Sequence, residues 1–247
     1  AEIKGSPNPL SNIQKLNNVQ HGKLKIKQAL SDGDAVMFSA VFTSEMRALQ
    51  SNFPLLFFKN TNDGRFQPIA LFGFEQGENL FLDESRWDSQ YIPMLIQRGP
   101  LMIATEGNSD ASDSDRVVAI DMSHPNVNEE EGEPLFLEFG GNSEYLDRLA
   151  TMLEGIHIGY TKTPQFVDAL LQHDLITSVT LKITLLNGKD HTLEGFYAID
   201  DEKLQLLSED AITDLHRRGH LLPAYMMVAS QSQLKRLIAL KNDKVAG

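Results

Sequence analysis

Val179-Thr180-Leu181-Lys182-Ile183-Thr184-Leu185-Leu186-Asn187-Gly188 is the stretch on which the fold turns. Val179, Leu181, Ile183 and Leu185 alternate with Thr180, Lys182 and Thr184, the period-two pattern of a half-buried strand. Asn187-Gly188 supplies the positive φ of a tight turn, and Leu193, Tyr197 and Ile199 return on a partner strand. Helical signals flank this hairpin. Upstream, Asn142 or Ser143 can cap a helix. There Tyr145, Leu146, Leu149, Met152, Leu153 and Ile156 repeat at three- and four-residue steps. Thr163-Pro164 predicts the start of a second helix, because proline at the first position has no N–H to lose; Phe166, Val167, Leu170 and Leu171 form its buried face. Downstream, Ser208-Glu209-Asp210 opens a helix with its acids where the dipole favours them. Gly219 ends it, and a last helix is expected over Leu221–Leu240.

The N-terminal half reads as strands punctuated by turns. Ala35–Phe42 is a short apolar run, Ser44 to Leu49 a short helical pattern, and Phe53–Phe58 another strand with its proline at the start. Asn62-Asp63-Gly64 joins it to Phe66–Phe74. Leu101–Ala104 and Val117–Ile120 look like a second pair, joined by the polar 106–115 loop. The expected class is α+β: a strand-rich N-terminal lobe, 11–140, and a mostly helical C-terminal lobe, 141–247, built around one β-hairpin and sharing one core. The boundary falls near Gly140-Gly141.

Composition excludes several function classes. The 247 residues contain no cysteine, which removes thiol nucleophiles, disulfides and zinc–thiolate sites together. The net charge is −12. Between Glu106 and Glu133, nine acids face Arg116 alone, so that segment holds −8 of it. Such a chain is repelled by nucleic acid and by anionic lipid. No apolar run approaches the roughly 18 residues of a membrane helix. The first thirty residues lack an apolar signal-peptide core, which favours a cytoplasmic location. Residues before about Ser11 carry no weight in this reading.

Chemical motifs are sparse. Gly188-Lys189 is followed by Asp190 and sits in a turn, so it is no phosphate loop. Gly107-Asn108-Ser109-Asp110-Ala111 lacks the second glycine of a nucleophile elbow. Asp110–Asp115 has the carboxylate density of a calcium loop without its glycine and distal glutamate. His216 and His220 are four apart, but Gly219 interrupts their helix and Arg217 and Arg218 crowd them. His124, His173 and His216, with scattered carboxylates, are the remaining candidates for a metal site assembled from distant residues. No cofactor is called for.

The segment Gly77–Pro100 stands out and holds the single tryptophan. On a helix beginning near Ser85, Trp87 and Tyr91 share a face one turn apart, with Arg98 able to approach it or to cap the helix. Aromatic rings beside an arginine offer stacking together with bidentate hydrogen bonding. The same rings could instead anchor the segment on the sheet.

Asn79-Leu80-Phe81, Arg86-Trp87-Asp88, Tyr91-Ile92-Pro93, Arg98 and Pro100 resemble the signature of the bacterial SapC family. Asp200-Asp201-Glu202-Lys203-Leu204 and Leu215-His216-Arg217-Arg218-Gly219 resemble its second block, and the hairpin around Leu186-Asn187-Gly188 falls where the family places its own. The resemblance runs from about Leu16 to Leu240. It departs at Gly99, where a large residue is expected. The family is named for association with a bacterial surface layer. It also resembles companions of outer-membrane uptake receptors and flavin-dependent halogenases. That implies an accessory role, and through it a place at the cell surface. The membrane permease subunit that shares the family's name has spans this chain lacks.

Three functions follow as expectations. The first is a non-enzymatic binding or accessory protein of a bacterial surface or nutrient-uptake system. Asn79, Arg86, Trp87, Tyr91 and Arg98 would meet its small ligand or protein partner. The second is an enzyme with the dispersed metal site. The third is a structural subunit that homodimerises through Leu222, Tyr225, Met226 and Leu237.

Overall fold

The structure, a computed structural model, describes residues 12–28, 34–83, 86–105 and 116–246. Strands β1 (Ile13–Lys15), β2 (Lys25–Ile26) and β3 (Phe38–Ala40) lead to a 3₁₀ turn (Thr43–Glu45) and α1 (Met46–Leu49). Then come β4 (Leu55–Lys59), β5 (Phe66–Leu71), β6 (Leu82–Asp83), β7 (Arg86–Trp87) and α2 (Met94–Gln97). Strands β8 (Leu101–Thr105) and β9 (Arg116–Asp121) precede the short β10 (Val127–Asn128) and β11 (Glu133–Pro134). The rest is α3 (Glu144–Gln172), the hairpin β12 (Ile176–Thr184) and β13 (Asp190–Ile199), then α4 (Asp201–Gln205), α5 (Glu209–Arg217), α6 (Leu221–Ser230) and α7 (Leu234–Ala246). The class is α+β, with antiparallel sheets throughout.

The largest sheet runs β12-β13-β4-β5-β3. Pairing of Tyr197 with Phe57 joins the C-terminal hairpin to the N-terminal one, so strands from both sides of Gly140 share this sheet. The alternation expected from Val179 holds along β12, where Ile183 is buried between exposed Lys182 and Thr184. Its partner differs in one respect. A bulge between Val179 and Leu181 places Phe196, rather than Tyr197, in the core, and Gly195 with φ +83 supplies the extra residue. The second sheet, β1-β9-β8, contains the expected pair, with Ile103 opposite Val118. The 106–115 loop, with its elbow-like and calcium-like patterns, lies outside the described residues.

Helix α3 connects the two sheets. Ser143 caps it, its side chain accepting from the Leu146 N–H. Leu146, Leu149, Leu153 and Ile156 pack in a core with Leu101 and Ile120 of the second sheet. Phe166, Val167 and Leu170 pack in the larger core with Phe57 and Ile69. The helix expected to start at Thr163-Pro164 therefore does not exist as a separate element: α3 runs through Pro164. Proline leaves the Tyr160 carbonyl without its helical donor and costs about 3 kcal/mol in a helix interior. Burial of both halves of the stripe outweighs that. Thr163 serves packing instead of capping, accepting from the Thr43 N–H at 3.3 Å.

The single last helix expected over 221–240 is also divided. A 3₁₀ turn at Gln231–Gln233 separates α6 from α7. Buried Ser230 accepts from the Leu55 N–H at 2.9 Å, and Gln231 Nε2 donates to the Leu55 carbonyl at 2.7 Å. Leu55 lies beyond the β4–β13 pairing at Phe57 and Phe58, and its polar groups would otherwise be buried unmet.

At Gly159, α3 packs closely on Phe42, just beyond β3. A Cβ there would lie 2.4 Å from the ring of Phe42, which is fully buried and cannot swing aside. Gly159→Ala is expected to lower the unfolding free energy by about 1–3 kcal/mol through overpacking, despite alanine's better helix propensity. Denaturant unfolding checks this; an unchanged or raised midpoint contradicts it.

Candidate functional site

The aromatic segment is built into the core by side-chain hydrogen bonds. Asn79 is buried: its Nδ2 donates to the Asp34 carbonyl at 3.0 Å and its Oδ1 accepts from the Phe81 N–H at 3.0 Å. Trp87 lies against Phe53, Phe72 and Phe81, stacked on Phe81 at 19° between planes. Its Nε1 donates to the Tyr91 carbonyl at 2.9 Å. Ser85 is outside the described residues, and from Arg86 the chain is strand rather than the expected helix. Trp87 and Tyr91 therefore share no helix face. Arg86 is exposed, 3.8 Å from Asp83. Arg98 sits apart from this cluster, at the end of the four-residue α2.

Tyr91 reaches a residue the sequence did not mark. Glu45 is 4% exposed, yet each of its carboxylate oxygens is satisfied. Oε1 accepts from the Phe42 N–H at 3.1 Å, and Oε2 from the Tyr91 hydroxyl and the Met94 N–H, both at 3.0 Å. Burial pushes the Glu45 carboxyl above its ordinary value, against the opposing pull of Met94, Phe42 and Tyr91. Burial, reinforced by the Glu45 charge, holds the Tyr91 phenol well above its own. An open hollow of about 620 Å³ lies over this pair, with Arg47 and Met94 on its walls.

Just past the last residue of α2, the chain builds a second feature. Arg98 Nη1 donates to the Leu101 carbonyl at 2.9 Å. Its Nε is buried and has no partner. Burial lowers the guanidinium's pKa, with Tyr160 and Asp121 pulling the other way. Arg98 lines a cavity of about 320 Å³ between α2, α3, β8 and β9, the lower end of the roughly 300–1,000 Å³ of small-molecule sites. Leu95, Met102, Ile103, Leu153 and Ile156 give it apolar walls. Arg116, His157 and Tyr160 complete the lining. Arg116 pairs with Glu154 at 3.4 Å. Tyr160 stands edge-on to Phe42 at 5.0 Å, and burial raises its phenol pKa. Gly99, where a large side chain was expected, has φ +54, and a Cβ there would meet nothing.

The histidines are dispersed. His124 lies between β9 and β10, its Nδ1 facing the Asn126 N–H at 3.2 Å. His173 caps α3, 3.9 Å from Asp214, and His216 lies in the last turn of α5. His220 follows Gly219 and heads α6; burial and then Arg218 lower its pKa. Among the described residues no three His, Asp or Glu side chains are placed to hold a metal. Of the expected dimer seam, Leu237 is fully buried within the chain, whereas Leu222 and Tyr225 are about half exposed.

Sequence reading thus named Tyr91 and Arg98 but missed Glu45, Arg116, His157 and Tyr160. His157 and Tyr160 continue past Ile156 on the apolar stripe of α3, and polar groups on that stripe were the available signal. Nothing local distinguishes Glu45.

The molecule is an α+β protein with an arginine-bearing cavity where one long helix crosses a sheet. Residues 16–237 match the family model of SapC, and the chain belongs to the SapC family. Neither the curated proteins nor the solved structures yield a match. No helix among the described residues is long and apolar enough to cross a membrane.

Removing the Glu45 carboxylate strands one buried and two partly buried donors, a buried one costing about 1–3 kcal/mol when unmet. Glu45→Ala should lose about 2–3 kcal/mol of stability. Because the folded carboxyl titrates above 4.5, its contribution is greatest below that pH and falls as pH rises through the folded value. Glu45→Gln removes that share of the slope. Chemical denaturation from pH 4 upward checks both, and equal slopes in wild type and Glu45→Gln contradict the second.

Proposed function

We propose that this chain is a non-enzymatic binding protein that serves a bacterial surface or nutrient-uptake system, and that it captures a small molecule in the cavity beside Arg98. One observation carries the reading: Arg98, a partly buried cation whose buried Nε has no acceptor, lines a cavity whose remaining walls are largely apolar. A donor in that position costs free energy until an acceptor arrives, and a cavity with walls on several sides can hold the molecule that brings it. Membership of the SapC family supports the accessory role. Arg98 is the expected site residue that lines the cavity, while Asn79, Trp87 and Tyr91 hold the segment that leads to it.

The test is a native mass spectrum of the protein purified gently from its own host, beside the variant Met102→Trp. Met102 lies on a strand at the side of its sheet and lines the cavity, so the larger ring fills space without removing a core side chain. Extra non-protein mass in the wild type, absent from the equally stable variant, is expected. A bare polypeptide that also gains nothing from the host's small-molecule fraction contradicts the reading.

A further inference from the structure

We infer that the ligand of this cavity is a small organic acid with an apolar body, its carboxylate seated on the Nε–Nη2 edge of Arg98. The inference rests on the cavity being the binding site. Arginine presents two parallel N–H donors along that edge, spaced to match the two oxygens of a carboxylate. Nη1 is already committed to the Leu101 carbonyl, and Nε has no acceptor. Among the described residues no carboxylate forms an ion pair with Arg98; Asp121 acts on it through its charge alone, so the partly buried guanidinium is incompletely compensated. Removing one partner from a buried ion pair is strongly destabilising; here a bound anion supplies the partner that the described residues do not.

The surroundings set the charge and shape of the ligand. Arg116 at the cavity is balanced by Glu154 at 3.4 Å. Of the two arginines at the cavity, Arg98 is therefore the one without an ion-paired carboxylate among the described residues, and the Glu154 carboxylate repels a second negative charge. That favours a monoanion over a phosphate-like dianion. Tyr160, though about half exposed, is a neutral phenol across the physiological range, as any tyrosine is unless its pKa is strongly lowered, and it offers a hydroxyl donor at the cavity. Leu95, Met102, Ile103 and Leu153 offer the rest of the ligand only apolar contact. An aryl or medium-chain alkyl body matches them.

Calorimetric titration of the intact protein tests this, with 3-phenylpropionate and octanoate as probes. The matched amide, 3-phenylpropanamide, and the matched phosphonate serve as comparisons. Both carboxylates should bind at least tenfold more tightly than the amide and the phosphonate. Arg98→Gln should lose that preference, Arg98→Lys should recover part of it, and Tyr160→Phe should weaken carboxylate binding several-fold with an unchanged melting temperature. If Arg98→Gln fails to fold, Tyr160→Phe and the amide comparison still decide. Equal binding of amide and carboxylate, both blocked in Met102→Trp, overturns the acid but leaves the cavity as a binding site. Tighter binding of the phosphonate overturns the monoanion. Failure of both carboxylates overturns the inference, and the native mass spectrum then shows whether the binding reading falls with it.

Discussion

The carboxylate of Glu45 ties its own turn to the distant segment from Tyr91 to Met94. It accepts from the Phe42 backbone at the end of the β3 segment, from the Tyr91 hydroxyl and from the backbone of Met94, which opens α2. A buried carboxylate is tolerated only when its lone pairs are filled, and here the donors come from segments about fifty residues apart. Met94 begins α2, and Arg98 ends it. The position of the arginine is therefore inherited from a hydrogen bond made by a glutamate elsewhere in the fold. Tyr91 completes the link, since its own carbonyl receives the Trp87 indole N–H and so couples Glu45 to the aromatic cluster.

Helix α3 provides the opposite wall. It is long because it has to reach two cores: its first half covers the β8–β9 sheet, and its second half packs among the phenylalanines of the larger sheet. Gly159 lies between the two halves, where only the absence of a side chain lets the helix approach Phe42. Tyr160 follows directly, lining the cavity on one side and touching the Phe42 ring on the other. The cavity thus lies where a helix committed to two sheets leaves space beside the second.

Elements defined by local chemistry were legible in the sequence. The hairpin at Asn187-Gly188, the pair joined at Asn62-Asp63-Gly64, the Ser143 and Ser208 caps and the stop at Gly219 each depend on residues within a few positions of one another. What escaped depends on distant contacts. Pro164 normally marks a helix start, and only packing against both cores carries α3 through it. The break after Ser230 exists because Ser230 and Gln231 serve the backbone of Leu55, about 175 residues earlier. The site divides in the same way. Tyr91 and Arg98 stood out by residue type, whereas the partners that give them meaning, Glu45 and Tyr160, are brought near only by the fold.

Arg98, positioned through α2 by Glu45, is the proposed anion receptor of a largely apolar cavity. A high-resolution crystal structure of the protein purified from its own host measures this most directly. Density for a carboxylate is expected across Nε and Nη2 of Arg98, within reach of the Tyr160 hydroxyl, with an apolar body along Leu95 and Met102. An Arg98 side chain turned out to solvent, or a cavity holding only water against Nε, would contradict it.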